Sequence, residues 1–143
     1  MNLSRQIVVG VDGSPAAQRA LRWALAEARR RKESILAVTA WRWDALEDID
    51  TISSAAADEA AAMLSRQIDA VPASERVAVP IVKQVREGRP GEVLTAAARD
   101  AELLVIGSHG HSHRLQLMLG STAEECVRNA SCPVVVLPPK QPA

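Results

Sequence analysis

Aromatic residues are scarce in this sequence: its 143 positions include three Trp but no Phe and no Tyr. Proteins that read single-stranded nucleic acids stack bases on aromatic rings, so the composition argues against that function. The core must be built from Val, Ile, Leu and Ala. Cysteine is also scarce: the sequence has only Cys126 and Cys132, which are too few for a disulfide framework. We expect both to be buried thiols, with a redox pair as the alternative.

The sequence also lacks a charge excess and a long hydrophobic run. Seventeen Lys and Arg balance seventeen Asp and Glu, so the formal net charge is zero. Binders of nucleic acids and acidic membranes rely on a positive field, which is missing here. The apolar run at 7–9 is too short for a signal core or a membrane span. We therefore expect a cytoplasmic protein without nucleic-acid or membrane partners. A single domain is predicted over 1–143, with a frayed tail at 138–143.

Short apolar runs alternate with helical patterns along the chain. Runs of strand length lie at 6–11, 34–41, 79–85, 103–106 and 133–137. Helical spacing of apolar residues is found at 15–32, 53–71, 88–99 and 120–129, and the acidic segment 44–50 is interpreted as a loop. Ser14 and Pro15 are typical of the start of the first helix. The third strand contains Pro80 and Lys83, which suit the edge of a sheet.

This order of elements predicts an α/β fold with a parallel sheet and helices on both faces. For five strands the common doubly wound order is 3-2-1-4-5. Ligands bind such sheets at the carboxyl ends of the strands, where the direction of winding reverses. The expected crevice therefore lies beside the loops that follow strands 1 and 4.

The positions of the glycines agree with this crevice. Five of the seven lie in these two loops or at their edges: Gly10, Gly13, Gly107, Gly110 and Gly120. Glycine lets backbone N–H groups converge on an anion, and the start of the last helix adds free N–H donors. The loops thus predict a phosphate cradle, although no Walker A motif and no G-x-G-x-x-G fingerprint is present. In the first loop, the Asp12 carboxylate is suited to accept hydrogen bonds from ribose.

Four segments together resemble the universal stress protein family. After strand 4 the chain reads Gly-Ser-His-Gly at 107–110, then nine residues, then Gly-Ser at 120–121. The others are Val-Gly-Val-Asp-Gly-Ser at 9–14, Glu-Gly-Arg-Pro at 87–90 and Cys-Pro-Val-Val-Val at 132–136. The resemblance spans about residues 5–138, and the long glycine spacing is that of the ATP-binding branch of the family.

The resemblance implies a fold like that of the adenine-nucleotide alpha-hydrolases, ATP as ligand and a homodimer. Asp12 would then hold the ribose with Gly107, while Gly10 and Val11 line the adenine side and Ala40 meets the adenine edge through its backbone. The phosphates would be surrounded by residues of the last loop and helix, namely Gly110, Gly120, Ser121 and Thr122. The loop after strand 4 is rich in histidine, and it adds four further candidates for nucleotide binding: Ser108, His109, His111 and Arg114.

Each of these assignments has an alternative. Asp12 can instead tighten the turn before the first helix. Ser121 and Glu124 form a Ser-x-x-Glu capping box, which would explain both residues without a ligand. The imidazoles of His109, His111 and His113 are of a type that binds transition metals. We expect instead that these side chains are solvated, and that any metal is a Mg²⁺ or Mn²⁺ ion bridging the phosphates of the nucleotide. No dedicated metal site is expected.

A regulatory nucleotide-binding protein is the favoured function, rather than an enzyme. Hydrolysis needs a group that positions water, and neither glycine loop contains a carboxylate other than Asp12. Arg114 and the histidines could still stabilise a transferring phosphoryl group, so weak ATP hydrolysis is one alternative. The other is a protein-interaction module that needs no nucleotide, which would leave the glycines around the crevice unexplained.

The last strand, 133–137, is predicted to lie at the edge of the sheet and to carry a homodimer contact. Its run of Val and Leu has no charge or bulge to protect its unpaired N–H and C=O groups. The same strand of a second subunit, paired about a two-fold axis, would satisfy these groups. The alternative is that the proline-rich tail folds back over the edge of a monomer.

Overall fold

In the computed structural model, residues 5–42, 49–109 and 119–138 are described. The strands are β1 Gln6–Gly10, β2 Ser34–Trp41, β3 Ile81–Glu87, β4 Leu103–Gly107 and β5 Val134–Leu137. The helices are α1 Pro15–Arg31, α2 Ile49–Asp69, α3 Ala73–Arg76, α4 Pro90–Ala97 and α5 Ser121–Asn129. Among these residues, no helix is both long and apolar enough to cross a bilayer.

All five strands are parallel and lie in the order β3-β2-β1-β4-β5, which confirms the predicted doubly wound α/β domain. The central strand β1 pairs with β2 on one side and with β4 on the other. From β1 the chain winds towards β3, and from β4 it winds towards β5. The winding therefore reverses between β1 and β4, where a crevice was expected.

Alternate residues of the strands build two separate cores. Ile7 and Val9 of β1 face α1 and α2, whereas Val8 between them faces α4 and α5. The buried face of α1 consists of five alanines with Leu21 and Leu25. Small side chains bring this helix close to the sheet, so the core needs few aromatic residues.

Several boundaries differ from the predicted ones. Helix α2 begins at Ile49, so Asp50 is helical rather than part of a loop. The third strand begins at Ile81, two residues after the predicted start at 79. The reasons are that the chain turns at Ala78, which has a φ of 67°, and that Pro80 has no N–H to donate. The short helix α3 was not predicted, because four residues are too few to show a helical pattern.

Both predicted edge strands lie at the edges of the sheet, β3 on one side and β5 on the other. The first residue of β5 is Val134 rather than Pro133. All four residues of β5 are half-buried. The carbonyl of Pro138, just beyond this strand, accepts a hydrogen bond of 2.6 Å from Arg19 Nη1 of α1, and the tail at 139–143 lies outside the described residues.

Candidate nucleotide site at the carboxyl edge of the sheet

The loop after β1 is held by a network of hydrogen bonds. Asp12 Oδ1 accepts from the N–H of Ser14 at 2.9 Å and from its hydroxyl at 2.5 Å. The Ser14 hydroxyl in turn accepts from Ala17 N–H and caps α1, as the sequence predicted. The turn interpretation of Asp12 is thereby confirmed. Because Asp12 is exposed and its turn fixes the carboxylate, the residue remains a candidate for binding a ligand as well.

Strand β2 supports this loop from its other side. The buried hydroxyl of Thr39 donates to the carbonyl of Val11 at 2.8 Å, and the Val11 N–H donates to the Val38 carbonyl at 2.9 Å. Val11 is therefore buried and continues the path of β1 although it is no longer part of the strand. Ala40 lies near the end of β2 at the same edge of the sheet, and it is half-buried.

The loop after β4 is closed at its base. The N–H of Gly120 donates to the carbonyl of Ser108 at 2.7 Å, and the Ser108 N–H donates to the Leu137 carbonyl of β5 at 2.8 Å. Ser108 is buried, and its hydroxyl lies 3.1 Å from Nδ1 of His109. The other ring nitrogen of His109, Nε2, is buried and has no hydrogen-bond partner within the described ranges. The predicted site residues Gly110, His111 and Arg114 lie outside those ranges, as does His113.

Helix α5 begins at this closed base without a side-chain cap. Gly120 is the N-cap residue, with Ser121 and Thr122 as the first two helical residues, and within the described ranges no side chain caps the first turn. The predicted capping box is therefore wrong, because Ser121 lies one residue too far into the helix. The Glu124 carboxylate pairs with Arg128 instead, at 2.7 Å. Glu124 in the first turn offers a negative charge to the helix dipole, but the N-cap glycine itself has no side chain that could accept from the first N–H groups.

Packing explains two of the glycines that the sequence assigned to ligand contact. A Cβ at Gly107 would lie 2.7 Å from the Cβ of Ala16 and 2.9 Å from its carbonyl carbon, so glycine lets α1 approach β4. A Cβ at Gly10 would lie 2.8 Å from Leu94 Cδ1 of α4. Backbone packing therefore requires glycine at 107 whether or not a ligand binds, whereas the contact at Gly10 involves only side chains that can move. The contact between Gly107 and Ala16 also brings the two loops together, since Ala16 follows the Asp12 turn directly in α1.

One supporting residue was missed by the sequence analysis. Gln67 of α2 accepts a hydrogen bond from the Gly13 N–H at 2.9 Å and donates one to the Ser14 carbonyl at 3.1 Å. A lone glutamine in a polar stretch of helix gives no signal of such a contact, which spans more than fifty residues of chain.

The two cysteines lie apart from this site. Cys126 of α5 is completely buried, and burial together with the nearby Glu125 carboxylate raises the pKa of its thiol to about 11. Burial also raises the pKa of the half-buried Cys132 thiol. Both are free thiols, which confirms the expected buried thiol at Cys126, whereas Cys132 is only half-buried because it lies in the exposed turn before β5.

No cluster of three or more potential metal ligands is found where the structure describes the chain. The polar groups in the loops after the neighbouring strands β1 and β4 include the Asp12 carboxylate, the His109 imidazole and the N–H groups at the start of α5. A carboxylate for hydroxyl groups beside N–H donors for an anion is an arrangement suited to a phosphorylated sugar.

Known proteins are similar to this chain in sequence and in fold. The sequence model of the universal stress protein family matches residues 4–138. Universal stress protein Rv2624c of Mycobacterium tuberculosis is 36% identical over 143 residues, which cover 97% of this chain and 51% of the relative. The chain spans about half the length of the curated relatives it matches.

Two solved structures with nucleotides have the same fold. A universal stress protein in complex with cAMP has a TM-score of 0.76 at 24% identity, covering 95% of this chain and 98% of that one. The universal stress protein of Archaeoglobus fulgidus in complex with dAMP has a TM-score of 0.61 at 21% identity, with coverages of 93% and 97%. The match of the family model to nearly the whole chain shows that it belongs to the universal stress protein family.

Proposed function

We propose that this chain is a regulatory protein that binds an adenine nucleotide, ATP in particular, between the loops after β1 and β4. The observation that carries this proposal is the uncapped N-terminus of α5, which the hydrogen bond from Gly120 to Ser108 fixes at the carboxyl edge of the sheet. A helix N-terminus without a cap favours an anion such as a phosphate. The close packing of Gly107 against Ala16, which follows the Asp12 turn in α1, supports a single site formed by both loops.

Each part of the nucleotide has a matching group. The Asp12 carboxylate accepts from ribose hydroxyls, while the backbone near Gly10, Val11 and Ala40 lines the adenine. The N–H groups of Ser121 and Thr122 hold phosphate oxygens. Gly110, His111 and Arg114 are the sequence-predicted contacts of the phosphates, and a Mg²⁺ or Mn²⁺ ion would be held through the nucleotide and would offset the phosphate charge. The cAMP and dAMP complexes of proteins with this fold support an adenine nucleotide as the ligand.

We propose binding rather than catalysis as the function, in a cytoplasmic setting. The segment 107–120 contains no Asp and no Glu, so Asp12 is the one carboxylate in the two loops. Its Oδ1 already accepts two hydrogen bonds from Ser14. A carboxylate engaged in this way is poorly placed to activate water, so turnover of ATP should stay at trace rates.

We further propose a homodimer through β5. The carbonyls of Pro133 and Leu137 accept hydrogen bonds from β4 and its loop. Because the backbone groups of a strand alternate in direction, those of Val134 and Val136 face the open edge of the sheet. A second β5, antiparallel about a two-fold axis, would pair with them.

A proline at the open edge tests the dimer. Val136→Pro removes an outward N–H and should yield a monomer in analytical ultracentrifugation. Lys83→Pro, at an outward-facing position of the opposite edge strand β3, should leave the oligomeric state of the wild type unchanged. A wild-type protein that is monomeric at high micromolar concentration would rule the dimer out.

Calorimetry with two substitutions of one residue tests the nucleotide site. Asp12→Asn keeps an oxygen that accepts from Ser14 but removes the charge, whereas Asp12→Ala removes both. If the carboxylate binds ribose, Asn should weaken ATP binding about tenfold, since hydrogen bonds to charged groups are worth roughly 1.5–3 kcal/mol. Ala should weaken it further. Native mass spectrometry of the same samples reports the mass of the bound ligand.

The control is the stability of the two variants. Asp12→Asn should unfold at the wild-type temperature, because the turn is preserved, and Asp12→Ala somewhat below it. Asn binding ATP as tightly as the wild type would leave the turn as the only role of Asp12.

A further inference from the structure

The side chain of Gln67 holds two peptide groups of the loop after β1, those on either side of the Gly13–Ser14 pair. Its Oε1 accepts from Gly13 N–H at 2.9 Å, and its Nε2 donates to the Ser14 carbonyl at 3.1 Å. A primary amide has both a donor and an acceptor, so one side chain satisfies both backbone groups at once. We refer to this pair of hydrogen bonds as the Gln67 clamp.

The clamp acts on the most adaptable point of the loop. Gly13 has a φ of 85°, in the left-handed region where glycine is unstrained and many backbone conformations are accessible to it. The peptide that carries the Gly13 N–H directly follows Asp12. One hydrogen bond of Gln67 fixes this peptide before Gly13, and the other fixes the Ser14 carbonyl after it. Together they restrict the turn to one conformation.

The same turn sets the direction of the Asp12 carboxylate. Asp12 Oδ1 is held by the N–H and the hydroxyl of Ser14, so the carboxylate follows any movement of Ser14. A ligand that uses this carboxylate binds more tightly when the carboxylate is already in place, because less ordering is left for the binding step. The clamp therefore affects the orientation of the Asp12 carboxylate in the candidate site, because it fixes Ser14, which binds that carboxylate.

The clamp is not needed to attach α2 to the sheet. Leu64, Ile68 and Val71 at the end of this helical segment are buried in the core formed with α1, and they supply the apolar contact. Gln67 itself is half-buried at the rim. Its two hydrogen bonds add little to the docking of the helix but determine the conformation of the loop.

We propose that Gln67 is a positioning residue of the nucleotide site, which orients Asp12 through the Gly13–Ser14 turn and couples α2 to occupancy of the site. This inference rests on the proposed function. Because coupling is reciprocal, a nucleotide that favours the ordered turn should also stabilise the clamp.

The test compares two Gln→Met substitutions by calorimetry with ATP and by NMR. Gln67→Met keeps the length of the side chain and removes both hydrogen bonds. Gln84→Met in β3 is the matched control, since the Gln84 amide oxygen makes no hydrogen bond to the described residues. Gln67→Met should weaken ATP binding about tenfold, equivalent to about 1.4 kcal/mol. Gln84→Met should bind ATP as the wild type does.

The amide signal of Gly13 in the nucleotide-free protein separates positioning from a general loss of stability. In Gln67→Met this signal should move upfield and exchange faster with solvent, as expected for a lost hydrogen bond, while the core amides of β1 stay protected. If Gln67→Met folds poorly, Gln67→Asn replaces it, because a side chain one carbon shorter cannot span both groups.

The outcomes distinguish the inference from the function on which it rests. A wild-type protein that binds no adenine nucleotide contradicts the proposed function, and an unchanged Gly13 signal in Gln67→Met would then overturn the clamp as well. A wild type that binds ATP, with Gln67→Met within twofold of it, overturns the positioning role alone. Equal losses in Gln67→Met and Gln84→Met would also overturn it.

Discussion

The loops after β1 and β4 reach the same edge of the sheet, but their polar groups are satisfied in different ways. In the first loop Asp12, Gly13 and Ser14 all have partners within the protein. The second loop is closed at its base by Gly120, while no side chain in the described part of the molecule caps the start of α5.

This difference indicates a division of roles between the loops. Building the first loop requires no ligand, so it can present a carboxylate in a fixed direction. Around the second, hydrogen-bonding capacity is left over, both at the start of α5 and at the buried Nε2 of His109, which has no partner in the described part of the chain. An anion-binding site needs N–H donors that are free in the absence of ligand and are held in place by a rigid neighbouring loop.

The largest effect is expected from a negative charge placed at the start of α5. Ser121→Asp puts a carboxylate beside the N–H groups proposed to hold phosphate. It should weaken ATP binding by about 3 kcal/mol, somewhat less than the roughly 4 kcal/mol for two unit charges at 4 Å near a surface. The same substitution should leave the melting temperature unchanged or slightly raised, because acidic residues are favourable in a first helical turn.

Ser121→Ala serves as the control for this experiment and should bind ATP within about twofold of the wild type, since the backbone N–H is retained. Calorimetry on the three proteins gives the comparison. Undiminished ATP binding by Ser121→Asp would show that the phosphates do not lie at α5.

A second pair of variants compares how strictly packing requires glycine at positions 107 and 10. Gly107→Ala should destabilise the fold by about 2 kcal/mol, because the new Cβ would meet the backbone of α1 at Ala16 as well as a side chain. Gly10→Ala should cost less than about 1 kcal/mol, since the Leu94 side chain it meets can move. Urea unfolding of both variants measures the difference, and equal losses would contradict this explanation.

A smaller effect than that of Gly107→Ala concerns the amino edge of the sheet, opposite the site. Glu33 is 4% exposed, and its Oε2 has no hydrogen-bond partner among the described residues. Burial raises the pKa of this carboxyl, and the Glu102 carboxylate raises it further. The folded protein thus holds this proton more tightly than the unfolded chain does. The resulting stability is present below the unfolded pKa and is lost as the pH rises through the folded pKa.

Glu33→Gln should therefore stabilise the protein at pH 7 by roughly 1 kcal/mol, the scale of an unsatisfied buried polar group. The gain should shrink as the pH is lowered towards 4. ATP affinity should not change, because Glu33 lies far from the carboxyl edge. Thermal unfolding at several pH values measures this, and a variant less stable than the wild type at pH 7 would disprove it.

Much of the fold follows from local patterns in the sequence. The runs of Val, Ile and Leu predict strands buried on both faces, and Ser14 with Pro15 fixes the start of α1. Alternation of strands and helices then limits the topology to a doubly wound sheet, so the strand order and both edge strands are confirmed.

The details that the sequence did not reveal depend on contacts between distant segments. The glycine at 107 is set by Ala16 of α1, and the conformation of Gly13 is set by Gln67 of α2. A Ser-x-x-Glu pattern predicted a cap at Ser121, but closure of the loop onto Ser108 starts the helix one residue earlier. Motifs identified the loops of the candidate site, whereas the reason for each residue in them required the packing.

The central claim is the location of the nucleotide, and NMR titration of the ¹⁵N-labelled protein with ATP tests it most directly. Saturable shift changes should be concentrated at the amides of 10–14, 107–109 and 119–123, with little change at the amino edge around Glu33. Changes centred on any other surface, or none at millimolar ATP, would contradict the claim.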